Sequence, residues 1–373
     1  MSVSKSLQNE NRLNYLNVTM NQKIKQNIYD LSREDLTEIV QSLEQPSYRM
    51  EQILEWLYKN YVETFDEMNN VPASLRDHLN LNCTFHGLVI ENHTRSNDGF
   101  TQKWLFKLHD GSLIETVLMK YDKRATACIS TQAGCAMGCT FCATGQMRFV
   151  RNLSHGEIIS QTVHAARVMR RSGKRLSNIV FMGMGEPMHN YENVISAVNT
   201  IIDPKLLSIA ARKVTISTIG IIEGINKLAE EKIQVGLAVS LHGTNDEERQ
   251  DLIKAASKWN LSDLIQSCKN YFRKTVRRVT FEWALIEGVN DSEAAAKNLV
   301  RLLKGLPCHL NVIPLNPTEN YDGKPSSKER IKVFVNLLNS AGIITTVRMR
   351  RGIDIAAGCG QLKAKSLSQI KRL

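Results

Sequence analysis

Apolar positions change their rhythm twice along this 373-residue chain. From Leu31 they recur at helical spacing, with Met50, Ile53, Leu54, Leu57 and Tyr58 on one face of "SYRMEQILEWLYKNY". "LSREDLTEIVQSL" opens with Ser32 as a cap and Glu34 and Asp35 in its first turn. With "VPASLRDHL" these stretches predict a small helical domain over 28–82. Alternation follows: "HGLVIENHT", "FTQKWLFKL" and "SLIETVLMKY", separated by Asp98-Gly99 and Asp110-Gly111, predict a β-meander over 83–123. From 124 to 350 short apolar runs alternate with helical stretches. The predicted strands are "ATACIST", "SNIVFMGM", "KVTIST", "VGLAVSLH", "RVTFEWALI", "HLNVIPL" and "ITTVRMR". The predicted helices span 154–172, 191–202, 221–231, 260–273, 291–304 and 326–341. This alternation means βα units on a parallel sheet, about six rather than the eight of a full barrel. Residues 1–27 read as a polar tail, and 351–373 as a tail that is Gly-rich and then basic.

An apolar content of 42% supplies a full core, and 23% charged residues is ordinary. The formal charge of +11 and the pI of about 9.2 favour an anionic partner, nucleic acid first. No apolar run approaches the ~18–20 residues that span a membrane. The N-terminus "MSVSKSLQNENRLNYLN" has no apolar segment of a secretory signal. Four of the eight cysteines fall within 128–142, a metal pattern rather than a disulfide framework. The expectation is a cytoplasmic protein with no membrane partner.

The stretch "AGCAMGCTFCATG" carries Cys135, Cys139 and Cys142 in the loop after the strand that bears Cys128. Ligand sites of parallel α/β folds lie at that carboxyl end of the sheet. Closed metal sites and most iron–sulfur clusters take four protein ligands, whereas this spacing offers three. Three thiolates on a cubane leave one iron open, and an open metal position is a catalytic arrangement able to take the amino and carboxylate groups of S-adenosylmethionine. Phe141, just before the last cysteine, offers a flat apolar partner to an adenine. The spacing alone also suits a zinc site completed by Cys128 or a distant histidine.

"CAMGCTFC" resembles the radical S-adenosylmethionine signature. With "CISTQAGCAMGCTFCATGQMRFVRNL", "FMGMGEP", "VTISTIG", "VSLHGTND", "NVIPLNP" and "RRGIDIAAGCGQL", in that order, the chain from Arg49 to Leu362 resembles the RlmN/Cfr family of RNA methyltransferases. The resemblance implies an α/β fold: a partial (β/α)6 radical-SAM barrel with an N-terminal helical accessory domain and a short β-meander extension. It implies one 4Fe-4S cluster on Cys135, Cys139 and Cys142, and two S-adenosylmethionine molecules per turnover. It implies methylation of an adenosine ring carbon in 23S rRNA, at the peptidyl transferase centre, and of the adenosine 3′ to the anticodon in tRNA. A low-potential donor such as flavodoxin or ferredoxin would supply electrons. The methyl-carrying cysteine corresponds to Cys359, the resolving cysteine to Cys128 and the base to Glu115. Contacts to S-adenosylmethionine correspond to Gly185, Glu186, Ser217, Ser240, Leu241, His242 and Asn316. Without the resemblance, Cys128 reads as a strand-core thiol or a fourth ligand, and Glu115 as an exposed strand residue.

The chemistry accounts for a radical. Carbon 2 of adenine is electron-poor and its hydrogen barely acidic, so polar methyl transfer has no nucleophile to use. The Cfr branch, which acts on carbon 8, carries cysteine where this chain has Ala133 and alanine where it has Pro187; both positions point to the RlmN branch and carbon 2. One departure stands out: Lys254-Ala255-Ala256 replaces an expected Pro-Ile-Asn, in a segment expected to touch substrate. Two readings compete. One is a zinc- or cluster-bearing RNA-binding protein without catalysis; the other is a radical enzyme that activates another protein. Cys83, Cys268 and Cys308 are expected to be core thiols. Arg148, Arg151, Arg350, Arg351, Lys363, Lys365, Lys371 and Arg372 are expected to ring the mouth and meet RNA phosphates. Tyr48, Arg49 and Trp56 are placed to help grip folded RNA.

Overall fold

The computed structural model describes residues 25–85 and 87–364. Its N-terminal helices are α1 (Arg33–Ser42), α2 (Tyr48–Glu55) and α3 (Ala73–Asn82). Ser32 closes a capping box on α1: its hydroxyl accepts from the Asp35 N–H, and its own N–H donates to the Asp35 carboxylate. The apolar stripe Ile53, Leu54, Leu57 and Tyr58 is buried as its spacing predicts. Beyond Glu55 the helix continues through Trp56–Asn60 as a wider π turn.

The sheet is built from β1 (Val89–Arg95), β2 (Thr101–Lys107), β3 (Leu113–Lys120), β4 (Ala125–Cys128), β5 (Asn178–Phe181), β6 (Val214–Thr218), β7 (Gly236–Ser240), β8 (Val279–Leu285), β9 (Cys308–Pro314) and β10 (Ile344–Val347). Its spatial order follows the chain order from β1 to β10. Strands β4 to β10 run parallel; β1 to β4 pair antiparallel. The crossovers are α4 (His155–Arg171), α5 (Tyr191–Ile202), α6 (Ile222–Glu230), the pair α7 (Asp246–Leu252) and α8 (Leu261–Thr275), α9 (Glu293–Leu303) and α10 (Lys328–Ser340). This is the six-unit α/β sheet expected from the alternation, open at β1 and β10.

The meander extends the main sheet directly. Strand β3 pairs along its second half with β4, so the antiparallel ribbon continues the parallel sheet. Ile114 to Met119 are buried on both faces of β3, and a strand covered on both sides loses the alternation that would mark its place. Helix α7 is short and strongly acidic at its start, and its sequence carries too few apolar positions to announce it.

The helical domain docks on α4. Ser154 and Glu157 form the capping box of α4, and Asp30 reaches the same helix end, accepting from Ser154 Oγ at 3.0 Å and from the Gly156 N–H at 2.5 Å. A β-carbon at Gly156 would lie 2.6 Å from the Asp30 side chain, so only glycine permits this approach. At the far end of α4, Arg167 donates to the carbonyls of Tyr61 and Val62.

Candidate active site

Cys135, Cys139 and Cys142 all line one cavity at the carboxyl end of the parallel strands, together with Phe141, Gly185, Glu186, Ser217, Ser240, His242, Asn316 and Cys359. The loop of the three thiols is held from outside by α7 and the turn after it. Thr140 N–H donates to Leu252 O at 2.9 Å, Ala255 N–H donates to Met137 O at 3.1 Å, and Cys139 forms a bridge with Ile253. The divergent Lys254-Ala255-Ala256 therefore packs on the cysteine loop, where Lys254 approaches Gly138.

The donor set fits an iron–sulfur cluster. The thiols are free and soft. Among the described residues no three His, Cys, Asp or Glu side chains converge as ligands of one ion, and thiolates on separate irons of a cubane need not converge. Cys128 lies elsewhere, so the geometry does not support it as a fourth ligand. Burial pushes Cys135 up to about 12, Cys139 well above the ordinary thiol range and Cys142 upward as well. Metal binding must therefore displace protons.

The walls are tied to one another by hydrogen bonds. Glu186 is buried; its two oxygens accept from the Met188 and Ile219 N–H groups at 2.9 and 2.8 Å, tying the loop after β5 to the loop after β6. Burial pushes its carboxyl up to about 7. Gly185 has φ +101°, and a β-carbon there would lie 2.5 Å from Gln132. The His242 Nδ1 accepts from the Ala284 N–H, which places its proton on Nε2, and burial lowers its pKa to about 3. Its ring meets the Phe141 ring edge-on at 4.9 Å. Leu241 differs from its neighbours: its side chain is fully buried in the core and does not line the cavity. Asn316 donates to Cys359 O at 3.0 Å, while its own buried Oδ1 has no protein partner. An orphaned acceptor on a cavity wall marks a place for a donor from a ligand.

Cys359 stands where two cavities meet. It lines the cavity of the three thiols and also a second one, with Cys128, Met182 and Arg348. Burial pushes Cys128 up to about 12, with Cys359 adding to the effect. The protein around Cys359 pushes it up to about 11 although its side chain reaches solvent, and Arg348 opposes that rise. Arg348 and Glu282, which lines the first cavity, are site residues absent from the sequence reading. Arg348 lies in "TTVRMRR", where a strand end hides it beside Arg350 and Arg351.

Glu115 lines a third cavity, separated from the first by the tail. It is 4% exposed, not the exposed strand residue that its position alone suggests. Burial pushes its carboxyl above the usual range, and Lys103 opposes the shift.

Several of the arginines expected to ring the mouth have partners within the protein. Arg151 is committed to Asp110 at 2.6 Å and to both oxygens of Glu157. Arg351 stacks over Phe100 and Tyr121, and Arg350 donates to Leu315 O. Arg148 remains exposed; Lys365, Lys371 and Arg372 lie outside the described residues. Arg49 and Trp56 hydrogen-bond to Asn70, whereas Tyr48 is exposed under Arg49. Cys83 and Cys268 are buried, and Cys308 only partly so.

Residues 129–300 match the Radical SAM superfamily, and residues 26–84 match the Ribosomal RNA large subunit methyltransferase N-terminal domain. The dual-specificity RNA methyltransferase RlmN 1 of Myxococcus xanthus is 48% identical over 91% of this chain and 94% of its own length. The ribosomal RNA large subunit methyltransferase N of Nitrosopumilus maritimus is 44% identical over 90% and 98%. The crystal structure of a radical SAM methyltransferase from Sphaerobacter thermophilus aligns with a TM-score of 0.88 at 46% identity, over 91% of this chain and all of that one. No helix among the described residues is long and apolar enough to cross a membrane.

Proposed function

This chain belongs to the RlmN family of radical S-adenosylmethionine methyltransferases, and on that premise we propose that it methylates carbon 2 of an adenosine in 23S rRNA and in tRNA through S-methylated Cys359. The observation that carries this reading is the position of Cys359, which faces the three-thiol cavity on one side and Cys128 on the other.

A 4Fe-4S cluster on Cys135, Cys139 and Cys142, refilled by a low-potential donor such as flavodoxin or ferredoxin, supplies the electron that makes S-adenosylmethionine a source of a hydrogen-abstracting radical. Gly185, Ser217, Ser240, His242 and Asn316 hold S-adenosylmethionine at the strand ends, with the Glu186 carboxylate bracing the loops. The Cys359 sulfur takes a methyl from one such molecule by displacement. A second molecule would supply the radical that takes one hydrogen from that methyl, and the remaining methylene would join Cys359 to the ring carbon. Glu115 takes the ring proton, a task suited to a carboxyl with a raised pKa. The adduct would return its unpaired electron to the cluster; the Cys128 thiolate would then attack the Cys359 sulfur to form a disulfide, and the released carbon would take a proton to complete the methyl group, with external reductant restoring the two thiols. The target base must leave its stack to reach these groups.

The test uses anaerobically reconstituted protein, reductant, methyl-labelled S-adenosylmethionine and unmodified rRNA or tRNA. Mass spectrometry of the nucleosides should find labelled 2-methyladenosine, with adenosylhomocysteine and deoxyadenosine formed in equal amounts. Labelled 8-methyladenosine would move the chain to carbon-8 chemistry. No methylated adenosine from protein with an intact cluster would overturn the reading.

A further inference from the structure

The two oxygens of Glu115 have different partners. Oε1 pairs with Lys103 Nζ at 2.9 Å, and Oε2 accepts from the Lys363 N–H at 2.8 Å. Lys103 Nζ also donates to Ala356 O at 3.1 Å. One ion pair thus touches the tail on both sides of Cys359: at Ala356 before it and at Lys363 after it. Between these points the segment is tied to the opposite wall. Ala143 N–H donates to Gly360 O at 2.7 Å, Thr144 Oγ1 donates to Leu362 O at 2.7 Å, and Asn316 reaches Cys359 O.

We infer that Lys103 is a positioning residue: with Glu115 it clasps the Cys359-bearing segment, so that freeing Glu115 for its proton and releasing that segment are one event. The reasoning is geometric. Lys103 on β2 and Glu115 on β3 are diagonal neighbours in the ladder, because Leu105 is the residue opposite Glu115. Their side chains are 13% and 5% exposed, and a pair so deeply covered contributes little net stability over apolar groups of the same size, whereas removing one partner leaves a buried charge unpaired. Each oxygen keeps a free lone pair, but Glu115 is buried with the tail backbone at Lys363 against it, so a substrate base reaches the carboxylate only when that cover moves. Lys103 is fixed to the sheet, so the partner free to leave is the tail N–H of Lys363. The other charged groups around this cavity are Lys363 and Glu319, which pair with each other at 2.8 Å.

The proton-taking half of the inference rests on the proposed role of Glu115; the clasp itself does not. The test compares cluster-reconstituted wild type, Lys103→Met and Lys103→Arg by amide hydrogen exchange and by the pH dependence of RNA methylation. In Lys103→Met, exchange at the Lys363 amide and its neighbours should rise about tenfold or more, while amides of β1–β3 keep their protection. The acid limb of the methylation profile should move to higher pH, because no adjacent cation favours the ionised Glu115. Lys103→Arg should restore most of both. Unchanged exchange in the tail of Lys103→Met overturns the clasp. So does a loss of protection spread equally over β1–β3, which would make Lys103 an ordinary structural residue. Normal methylation by Glu115→Gln would sink the base assignment, and the exchange data would still decide the clasp.

Discussion

Cys128 and Cys359 share a cavity that Cys135 and Cys139 do not line, and this makes the two kinds of cysteine separable by experiment. Wild-type protein should hold about four irons and four sulfides per chain. Cys135→Ala, Cys139→Ala and Cys142→Ala should each lose the cluster absorbance, and Cys128→Ala should keep it. Cys128→Ala should instead trap RNA on Cys359, visible as a slow band on a denaturing gel. The double change Cys128→Ala with Cys359→Ala should show no such band, because no methyl can be loaded. Normal turnover by Cys128→Ala would return that residue to a strand-core thiol. The sequence made these cysteines legible unequally. The three thiols are local, and their spacing alone suggests soft-metal chemistry. Cys359 and Cys128 line one cavity only because the tail folds back onto the sheet, so nothing in the local sequence pairs them and only the resemblance does. Arg348 and Glu282 escaped notice for the same reason, since each is ordinary in its own strand and becomes a site residue only through its neighbours in the fold.

At the scale of elements, the periodic patterns gave every parallel strand and its main crossover helix, because amphipathic spacing is a property of each segment alone. How the pieces join was less visible. The docking of Asp30 on α4 depends on residues far apart in the chain. It sets a carboxylate on two donors at the positive end of a helix, worth about 1–3 kcal/mol together. Asp30→Ala should therefore lower the thermal midpoint by a few degrees. Gly156→Ala should do the same by pushing Asp30 away, and the two changes combined should cost less than their sum. Full additivity would mean that they act at separate places. Arg151 makes a second long-range tie, from α4 to the turn before β3. Its hydrogen bond holds the Asp110 carboxyl well below the usual range. A depressed folded-state pKa contributes stability that is fully present above the unfolded value of about 4 and is lost progressively as pH falls from there through the lower folded value. The half-covered pair is screened, so the contribution is under about 1 kcal/mol. Asp110→Asn should therefore be less stable than wild type at pH 7, with the gap closing in acid. An unchanged gap at low pH would assign the loss to packing.

For the whole molecule, the formal charge of +11 is its most general feature and bears on how RNA is held. Charge alone suggests a broad basic mouth, but Arg151 is committed to carboxylates and Arg351 lies over aromatic rings. Lys363 is held by Glu319. Of the expected cations, Arg148 and Arg350 are exposed, Arg350 donating to the Leu315 carbonyl, and Lys365, Lys371 and Arg372 lie outside the described residues. Removing residues 365–373 leaves the Lys363 N–H on Glu115 and should spare the cluster and the loading of Cys359. RNA affinity should fall, and the slope of log K against log salt should shrink by up to about 2–3 if each lost cation had neutralised one phosphate. Arg148→Ala should lower the slope by about 0.7–0.9 more when added to the truncation. Filter binding between low and moderate salt measures both. A truncated protein with an unchanged slope would show that the terminal lysines and arginine do not touch the RNA, and would move the phosphate contacts to the helical domain, where Tyr48 and its neighbours remain exposed.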